Sequence, residues 1–387
     1  MNKKSKVILL PCNSYREEIV YENLEIGLEL LGGIENIVGK EESVLLKPNL
    51  LKKAEVDKAV ITHPTVVGMF ARLMREKGYQ DMALADSCGN GTTSKVIHGT
   101  GMDTYLEKLD IPAIDYTTGI HVDYPKGIRV EYPEGIQAKE FILPKELLEK
   151  DCVISLCKMK THALERITGA VKNSYGFVYG FHKAKGHTLY PSADSFARML
   201  VDLNQYVKPR LYIMDGIVAM EGNGPGSGDP APMNVMLMSR DPVALDSVFC
   251  NLIHLNPEMV PTNYHGEKMG LGTWRSEEIE IVTPSGEISM KDAVAQYGNP
   301  YFDVDRRVVR SGMWERLAKA LNIFQKKPYI EPERCIRCGI CVKSCPVPDK
   351  AVDFRKGREN PPVYDYKKCI RCFCCQEMCP EKAIQVK

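Results

Sequence analysis

The chain has 387 residues, of which 44% are hydrophobic and 26% are charged, and its formal net charge is +1. This length exceeds what one hydrophobic core usually holds, so the sequence predicts two domains. The near-zero charge excludes a general attraction to nucleic acid or membranes, and no stretch approaches the ~20 apolar residues of a membrane-spanning helix. The apolar run 7–10 is too short for a signal peptide, so we expect a cytoplasmic protein.

Residues 1–310 alternate short apolar runs with amphipathic stretches, which predicts an α/β domain with a largely parallel sheet. The predicted strands are Val7–Pro11, Ser43–Lys47, Asp81–Ala85, Asp151–Leu156, Leu211–Met214 and Val235–Met238. The predicted helices are Glu17–Leu31, Pro64–Lys77, Leu164–Tyr175, Ala193–Val207 and one that begins after Asp241 and extends to Leu255. Residues 119–143, rich in Gly, Pro, Tyr and Val, predict a small β excursion.

Polar segments follow several predicted strands, at the edge where parallel α/β sheets bind ligands. Two of them are residues 47–49 and 86–89, and the third contains Lys158, Lys160 and His162. If the third segment stays extended, these three side chains point to one face. Two ammonium groups and an imidazole would bind a carboxylate or phosphate there, with Lys160 and His162 as catalytic candidates and His162 supplying a proton. The alternative is a solvated strand end with ordinary charges.

Further segments are candidates for the same site. The polar face of the predicted helix 164–175 carries Thr161, Glu165, Thr168 and Lys172. Lys172 and Asn173 would join Lys158 in binding the anionic group. A basic segment, 182–187, and a glycine-rich segment, 215–228, follow; the first is alternatively a solvated charge run and the second a flexible lid. The glycine-rich segment lacks the Lys-Ser/Thr ending of a P-loop, so it does not indicate a nucleotide site.

The C-terminal region carries one cysteine run twice, at residues 335–346 and 369–380, and each run ends in proline. The spacing is that of bacterial [4Fe–4S] sites, in which the fourth cysteine of one run binds the other cluster. We therefore predict two [4Fe–4S] clusters. One set of ligands comprises Cys335, Cys338, Cys341 and Cys379, and the other comprises Cys369, Cys372, Cys375 and Cys345. The alternative is a pair of zinc sites.

Basic residues surround these cysteines. Residues 331–387 contain twelve Lys or Arg and eight Asp or Glu, and two oxidised clusters of about −2 each would bring this region close to neutrality. The residues that flank the runs are Arg334, Arg337, Lys343, Lys367, Lys368 and Arg371. They would steer an acidic, low-potential electron donor, a ferredoxin or flavodoxin, toward the clusters. Alternatively, they only offset the charge of the clusters.

The sequence thus predicts three parts. These are an α/β domain at 1–310, an amphipathic linker at 311–330 and a small α+β ferredoxin-like domain at 331–387. The linker segment Ser311 to Gln325 would pack the ferredoxin-like domain against the main body. Because such clusters degrade in air, we expect an anaerobic or oxygen-poor host.

Six cysteines remain outside the predicted ligand sets: Cys12, Cys88, Cys152, Cys157, Cys250 and Cys374. Cys12, Cys88 and Cys157 follow predicted strands and could hold a further metal or cluster. Free cysteine is commonly buried as a small apolar residue, and packing is the interpretation that we favour. Cys374, between two predicted ligands, is expected to bind nothing.

The chain resembles one known family. The motif Lys160-x-His162 followed by residues 169–176, together with residues 47–49 and 215–230, is similar to the iron–sulfur proteins grouped under domain of unknown function 362. Here that domain is joined to a two-cluster ferredoxin module. The resemblance implies an α/β domain associated with redox chemistry, and it implies no particular reaction.

Three functions are compatible with these features. The first is a ferredoxin-linked oxidoreductase that passes electrons to an anionic substrate or cofactor in the α/β domain. The second is a non-catalytic electron-transfer subunit that docks a partner enzyme. The third is a metallocofactor-maturation or redox-sensing protein that uses the strand-end cysteines. Nucleic acid is not an expected partner, because no net basic surface remains once clusters are counted.

Overall fold

The computed structural model of the chain describes residues 4–116, 127–180, 182–307 and 326–387. The predicted linker segment Ser311 to Gln325 lies outside the described residues. Within them, an α/β domain is followed by a small C-terminal module of short strands and helices. The predicted fold class is therefore confirmed.

One large mixed sheet, mostly parallel, forms the centre of the α/β domain. Its strands are ordered β12-β11-β1-β10-β9-β7-β2-β3-β4, with β8 paired to β7. They are β1 Ser5–Pro11, β2 Val44–Pro48, β3 Met82–Ala85, β4 Ala113–Ile114, β7 Cys152–His162, β8 Arg166–Thr168, β9 Leu211–Glu221, β10 Asp229–Ser239, β11 Ile279–Thr283 and β12 Gly286–Ile288. Strand β10 runs antiparallel to both neighbours, whereas β7 is parallel to β2 and β9. The carboxyl ends of β2, β3, β7 and β9 thus lie along one edge.

Helices cover both faces of this sheet. They are α1 Glu17–Leu30, α2 Pro64–Glu76, α3 Thr93–Ile97, α4 Met102–Lys108, α5 Lys145–Leu148, α6 Ala170–Asn173, α7 His182–Leu189, α8 Ala193–Val207, α9 Pro242–Leu252, α10 Pro261–Lys268 and α11 Met290–Tyr297. Short 3-10 turns occur at Ile34–Asn36, Val56–Lys58, Ser174–Phe177, Pro257–Met259 and Ser276–Glu278. Helices α1 and α2 bury apolar residues against one face, and α8 and α9 pack on the other.

Local sequence explains where the well-predicted helices begin. Ser192 caps α8 by accepting from the backbone N–H of Ser195, whose side chain accepts from the N–H of Ser192 in return. The carboxylate of Asp241 accepts from two N–H groups at the start of α9, and Pro242 occupies its first turn. These signals are local, so the sequence alone identifies them.

The helix predicted at Leu164–Tyr175 is wrong. Strand β8 pairs with the end of β7, and α6 begins only at Ala170. A Cβ on Gly169 would lie 2.0 Å from Oδ1 of Asp246, so this glycine lets the chain turn tightly against α9. The carboxylate of Asp246 accepts from the N–H groups of Ala170 and Val171 and orients the short helix.

Three strands are much longer than the apolar pattern predicts, and one of them, β10, already begins at Asp229. Strand β7 continues through Lys158 and Lys160 to His162, and β9 continues to Glu221. The glycine-rich segment predicted as a loop is therefore strand as far as Glu221, and only residues 222–228 connect β9 to β10. The polar residues look like strand ends in the sequence, whereas in the fold they are buried.

A β hairpin interrupts the strand–helix alternation, as expected for residues 119–143. Strands β5 Gly127–Glu131 and β6 Glu140–Pro144 pair antiparallel; residues 117–126 lie outside the described residues. The hairpin packs apolar side chains such as Phe141 and Leu143 against α8.

The C-terminal module contains two small antiparallel pairs. Strand β13 Pro328–Ile330 pairs with β16 Ile384–Val386, and β14 Val352–Asp353 pairs with β15 Val363–Tyr364. The remaining elements are a 3-10 turn Pro332–Arg334 and helices α12 Ile340–Ser344 and α13 Cys374–Glu377. Because β13 pairs with the last strand, the module begins slightly before the predicted boundary at residue 331.

Candidate functional site

Buried lysines connect the ends of β2 and β7. Nζ of Lys47 lies 2.8 Å from Oδ1 of Asp86 and donates to Oδ1 of Asn173 at 3.2 Å. Nδ2 of Asn49 donates to the same oxygen at 3.1 Å, and Oδ1 of Asn49 accepts from Nζ of Lys160 at 2.8 Å. Burial lowers the pKa of Lys47, and Asp86 opposes that effect. Asn173 is thus held in an internal network that includes residues of three strand ends.

Lys158 belongs to a separate network with Asp215, which lies in the middle of β9. Its Nζ forms a fully buried ion pair with Oδ2 of Asp215 at 2.7 Å and donates to the hydroxyl of Tyr15 at 3.1 Å. The ring of Tyr15 stacks on that of His63 with centroids 3.5 Å apart, and burial lowers the pKa of His63 to about 4. Removing one partner of such a pair would leave an uncompensated buried charge.

Lys160 is buried among neutral partners. Its Nζ donates to Oδ1 of Asn49 and to the carbonyl oxygen of Val60, both at 2.8 Å. Burial lowers its pKa well below the usual value, and the nearby charge of Lys172 adds to this. An amine in this setting exchanges a proton more readily than an ordinary lysine.

His162 contacts the C-terminal module. Its Nδ1 accepts from the backbone N–H groups of Leu164 and Glu165, both at 3.1 Å, so the ring proton is on Nε2. Nε2 lies 3.1 Å from Oε1 of Glu377 on α13. Burial lowers the pKa of His162; burial also acts to raise the pKa of Glu377, but His162 and the charge of Lys172 hold it at about 2.

Lys172 lies beside aromatic rings instead of an ion-pair partner. Its Nζ is 5.1 Å from the ring centroid of Tyr175 and 5.7 Å from that of Phe196. The ring of His187 stacks on Phe196 at 4.5 Å and meets Tyr175 edge-on at 5.5 Å. Burial lowers the pKa of Lys172, and Glu377 opposes it. We call His162, Lys172, Tyr175, His187 and the covering Glu377 the strand-end site.

The module covers this edge of the sheet through direct hydrogen bonds. Nε2 of Gln376 donates to the carbonyl oxygens of Asn223 and Gly224, at 2.8 and 3.2 Å. Nζ of Lys52 donates to the carbonyl oxygens of Glu377 and Cys379, at 2.9 and 3.1 Å. A Cβ at position 226 would lie 2.7 Å from the carbonyl oxygen of Glu377, so glycine there permits close contact. The connection between β9 and β10 is thus a docking surface.

The eight cysteines of the repeated runs surround two cavities. The first cysteine cavity, of about 350 Å³, is lined by Cys335, Cys338, Cys341 and Cys379. The second cysteine cavity, of about 300 Å³, is lined by Cys345, Cys369, Cys372 and Cys375. Each set combines three cysteines of one run with the last cysteine of the other. Cys374 lines neither cavity.

These cavities fit cubane clusters better than single metal ions. Among the described residues, no three thiol, imidazole or carboxylate groups converge on one ion position. A [4Fe–4S] cluster takes one thiolate on each iron, so its four ligands surround a volume instead of a point. The hydroxyl of Tyr364 lies 3.2 Å from Sγ of Cys375, within donating distance of a ligand sulfur.

The strand-end cysteines do not meet. Cys12 and Cys88 belong to the hydrophobic core on one face of the sheet, whereas Cys157 belongs to the core on the other. Each thiol instead lies near a backbone carbonyl oxygen, those of Ser14, Asp86 and Ile213. Burial raises the pKa of all three thiols. Their surroundings are those of packing residues.

Sequence reasoning missed the residues through which the two domains meet. Gln376 and Glu377 lie between predicted ligands and carry no motif of their own. Asp215 was noted only as part of the glycine-rich segment. His187, in the predicted basic segment, and Tyr175, at the end of the predicted helix, do reach the site.

Fold and cysteine geometry define the class: an iron–sulfur electron-transfer protein with an α/β domain. Residues 327–380 match a family described as "4Fe-4S dicluster domain". Residues 44–251, more than half of the chain, match the family described as "Domain of unknown function (DUF362)". The chain therefore belongs to the DUF362 family, and the resemblance drawn from its motifs is confirmed.

A curated relative is similar over most of its length. It is the "Thylakoid-associated protein sll1697" of Synechocystis sp. (strain ATCC 27184 / PCC 6803 / Kazusa), 35% identical over 272 residues that cover 70% of this chain and 81% of the relative. Among the described residues of this chain, none of the helices is both long and apolar enough to cross a membrane.

Two solved structures are distantly similar. The apoprotein of lactate racemase from Thermoanaerobacterium thermosaccharolyticum aligns with a TM-score of 0.42 at 12% identity, over 64% of this chain and 56% of that one. A protein from Thermotoga maritima aligns with a TM-score of 0.35 at 12% identity, over 59% and 56%. This chain thus spans little more than half of either solved chain.

Proposed function

We propose that this protein is a ferredoxin-linked oxidoreductase that passes electrons from two [4Fe–4S] clusters to a small anionic substrate or cofactor at the strand-end site. One observation carries the proposal. Helix α13 supplies Cys375 to the second cysteine cavity and Glu377 to the strand-end site. A cluster in that cavity would therefore be adjacent to the site where a substrate is held.

The eight cysteines would hold the clusters in the crossed arrangement that the two cavities support, with Cys379 completing the first set and Cys345 the second. When bound, such clusters supply single electrons at low potential. Two of them would deliver two electrons to a substrate without an additional flavin.

Lys172 would bind the anionic group. Its ammonium group packs on Tyr175 and has no carboxylate in ion-pair contact among the described residues, unlike Lys47 and Lys158. A partly desolvated ammonium group interacts strongly with an anion because water screens the attraction little. Lys158 and Asn173, predicted as binding residues, would instead hold the strand ends in place through their internal partners.

Proton transfer would involve His162 and Lys160. The Nε2 proton of His162 faces Glu377 at the covering helix, and the amine of Lys160 has neutral partners. Burial lowers the pKa of Lys160 from its alkaline range, which makes this amine a better proton acceptor and donor than an exposed lysine. Burial also lowers the pKa of His162, which favours the neutral ring whose proton is held on Nε2.

An acidic donor would approach the first cysteine cavity. Cys338 is exposed there, Ile336 beside it is 59% exposed, and both residues lie on that cavity. Arg334 and Arg337 flank the same surface and are exposed. Positive charge around an apolar contact suits transient binding of a negatively charged ferredoxin or flavodoxin.

The proposal is tested by calorimetric titration of anaerobically purified holoprotein with oxalate and, separately, phosphate. We expect saturable binding that is at least about tenfold weaker in Lys172→Met, since a hydrogen bond between charged groups is lost. Lys185→Met, at an exposed position on α7, is the matched control and should bind normally. Unchanged binding in Lys172→Met contradicts the assignment of this site.

The alternative of a non-catalytic electron-transfer subunit is favoured by one observation: Lys47, Lys158 and Lys160 all have internal partners, as in a structural core. Oxidation of the dithionite-reduced clusters by small oxyanions such as nitrite or sulfite, without any second protein, would support the enzyme. Oxidation that requires an added protein partner would support the subunit.

A further inference from the structure

Glu165 is a buried carboxyl group for which the described residues provide no hydrogen-bond partner. Its side chain is 0% exposed, and neither Oε1 nor Oε2 has a hydrogen-bond partner among the described residues. Buried polar atoms in folded proteins almost always form hydrogen bonds, so an unpaired buried carboxyl group indicates a ligand, a water molecule or a functional role. His187 gives a second case, since no described residue forms a hydrogen bond with its buried Nδ1.

The position of Glu165 relates it to the strand-end site. Its backbone N–H donates to Nδ1 of His162 at 3.1 Å, which places it in the turn between β7 and β8 beside that ring. The charged groups that face it are Lys172 on α6 and Asp194 on α8. Asp194 is itself in contact with His265, at 3.0 Å from Nε2. The guanidinium group of Arg166 instead donates to the carbonyl oxygen of Asp305.

Burial raises the pKa of Glu165 well above its usual value; Lys172 lowers it and Asp194 raises it further. Complete burial without a hydrogen-bond partner among the described residues favours the neutral carboxylic acid over the carboxylate. A neutral carboxyl donates one O–H hydrogen bond, whereas a carboxylate would only accept and would repel an anion. Next to an ammonium group, a carboxylic acid thus adds a second donor for the same oxyanion.

We propose that Glu165, as a carboxylic acid, donates a hydrogen bond to the small oxyanion bound at Lys172. This inference rests on the proposed function, because it takes the anion at Lys172 as given. It adds a residue that selects for oxygen-bearing anions and makes their binding depend on one proton. Glu165 acts here as a binding residue, and no covalent step is involved.

The sign of the pH dependence follows from the protonation state. At pH values below the raised pKa of Glu165, the carboxylic acid keeps its proton and can donate the hydrogen bond. In that range the affinity for oxalate does not depend on pH through this group. As the pH rises through that value, the carboxylate forms, the donor is lost and repulsion of the anion appears. Affinity for oxalate should therefore fall on the alkaline side, and this fall should be absent when residue 165 cannot ionise.

The test is calorimetric titration of the anaerobic holoprotein with oxalate, and with phosphate in a second arm, from about pH 6 to pH 9. In Glu165→Gln we expect an affinity within about threefold of wild type at neutral pH, because the amide group still donates a hydrogen bond. We also expect the affinity of this variant not to fall at alkaline pH. In Glu165→Leu we expect affinity at least about tenfold weaker at neutral pH. Glu131→Gln, on exposed β5, is the control for an uncharged substitution.

The outcomes separate the two proposals. One outcome would overturn only the role of Glu165: both Glu165 variants bind with wild-type affinity and pH dependence, while Lys172→Met binds more weakly. The assignment of the anion site at Lys172 would then still stand. Unchanged binding in Lys172→Met, or no saturable binding of either probe to wild type, would overturn both. Infrared spectroscopy gives a readout without ligand: the carbonyl band of a buried carboxylic acid should disappear in Glu165→Gln. A wild-type spectrum unchanged by that substitution would contradict the protonated state.

Discussion

The two cysteine cavities have the same ligand spacing but different surroundings. The first opens to solvent at Cys338, with Ile336 exposed beside it. In the second, Cys372 and Cys375 are buried, and the helix that carries Cys375 packs against the α/β domain. A duplicated sequence thus produces two sites whose cysteines differ in exposure, and the hydrogen bonds named above that dock the module come from residues 376–384, in and after the second run.

This difference assigns a separate role to each cavity in the proposed function. An accessible site suits exchange of electrons with a soluble donor, and a covered site suits transfer to a substrate from which water is excluded. The buried lysines differ in the same sense: Lys47 and Lys158 form ion pairs with Asp86 and Asp215. Lys172 instead faces the covering helix, and no carboxylate of the described residues forms an ion pair with it. Both differences point to the same edge of the sheet.

The largest expected effect is loss of one cluster from a single cysteine substitution. Cys335→Ser and Cys379→Ser should each damage the same cluster, although the residues belong to different runs, and about four of about eight irons should be lost. Cys345→Ser and Cys369→Ser should both damage the other. Iron analysis and electron paramagnetic resonance of the reduced protein measure this, with Cys374→Ser as the control that keeps both clusters.

If Cys335→Ser and Cys379→Ser changed different resonance signals, the crossed ligand sets would be wrong. The assignment of one exposed and one covered cluster would then be wrong as well.

The second expected effect concerns access from solvent. In the reduced holoprotein, ferricyanide should oxidise the cluster of the first cavity at least about tenfold faster than that of the second, because reaching the covered cluster requires local opening. Stopped-flow measurement combined with freeze-quenched resonance spectra resolves the oxidation rates of the two clusters. Equal rates for both clusters would mean that docking of the module does not protect the second cavity.

The third expected effect concerns the docking surface. Asn223→Ala removes the Nδ2 donor to the carbonyl oxygen of Ile384 and the Oδ1 acceptor of Gln376. Each lost hydrogen bond should weaken docking by about 1 kcal/mol. Hydrogen exchange should speed up in β16 and α13 and stay normal in β14. Asn23→Ala, which removes a hydrogen bond within α1, should leave this contact unchanged.

The smallest expected effect is on donor binding. Replacing both Arg334 and Arg337 by glutamine should slow reduction by an acidic ferredoxin about two- to fivefold at low ionic strength, and the difference should vanish at high salt. Lys145→Gln, at an exposed position of α5, is the control and should have no effect. A slowing that persists at high salt would mean that these arginines do more than steer.

Local signals predicted much of the fold. The amphipathic pattern predicted the helix Ala193–Val207 with its observed bounds, and β2 was predicted within one residue. The cysteine spacing separated the two sets that line the cavities. These features depend on neighbouring residues only, so the sequence contains all that is needed to find them.

The site itself depended on distant partners. Lys158 and Lys160 look like a polar strand end, yet they are buried because Asp215 and Asn49, far away in the chain, meet them. Glu165 was placed on the polar face of a helix that does not exist. The contact of His162 with Glu377 joins residues of different domains, and no periodicity or motif reports such a pairing.

The most direct test of the central claim, that the second cysteine cavity and the strand-end site act as one unit, is the resonance spectrum of the reduced holoprotein with and without oxalate. We expect oxalate to shift only the signal that Cys369→Ser removes, and we expect Lys172→Met to abolish the shift. A shift of the signal that Cys335→Ser removes, or no shift at saturating oxalate, would contradict it.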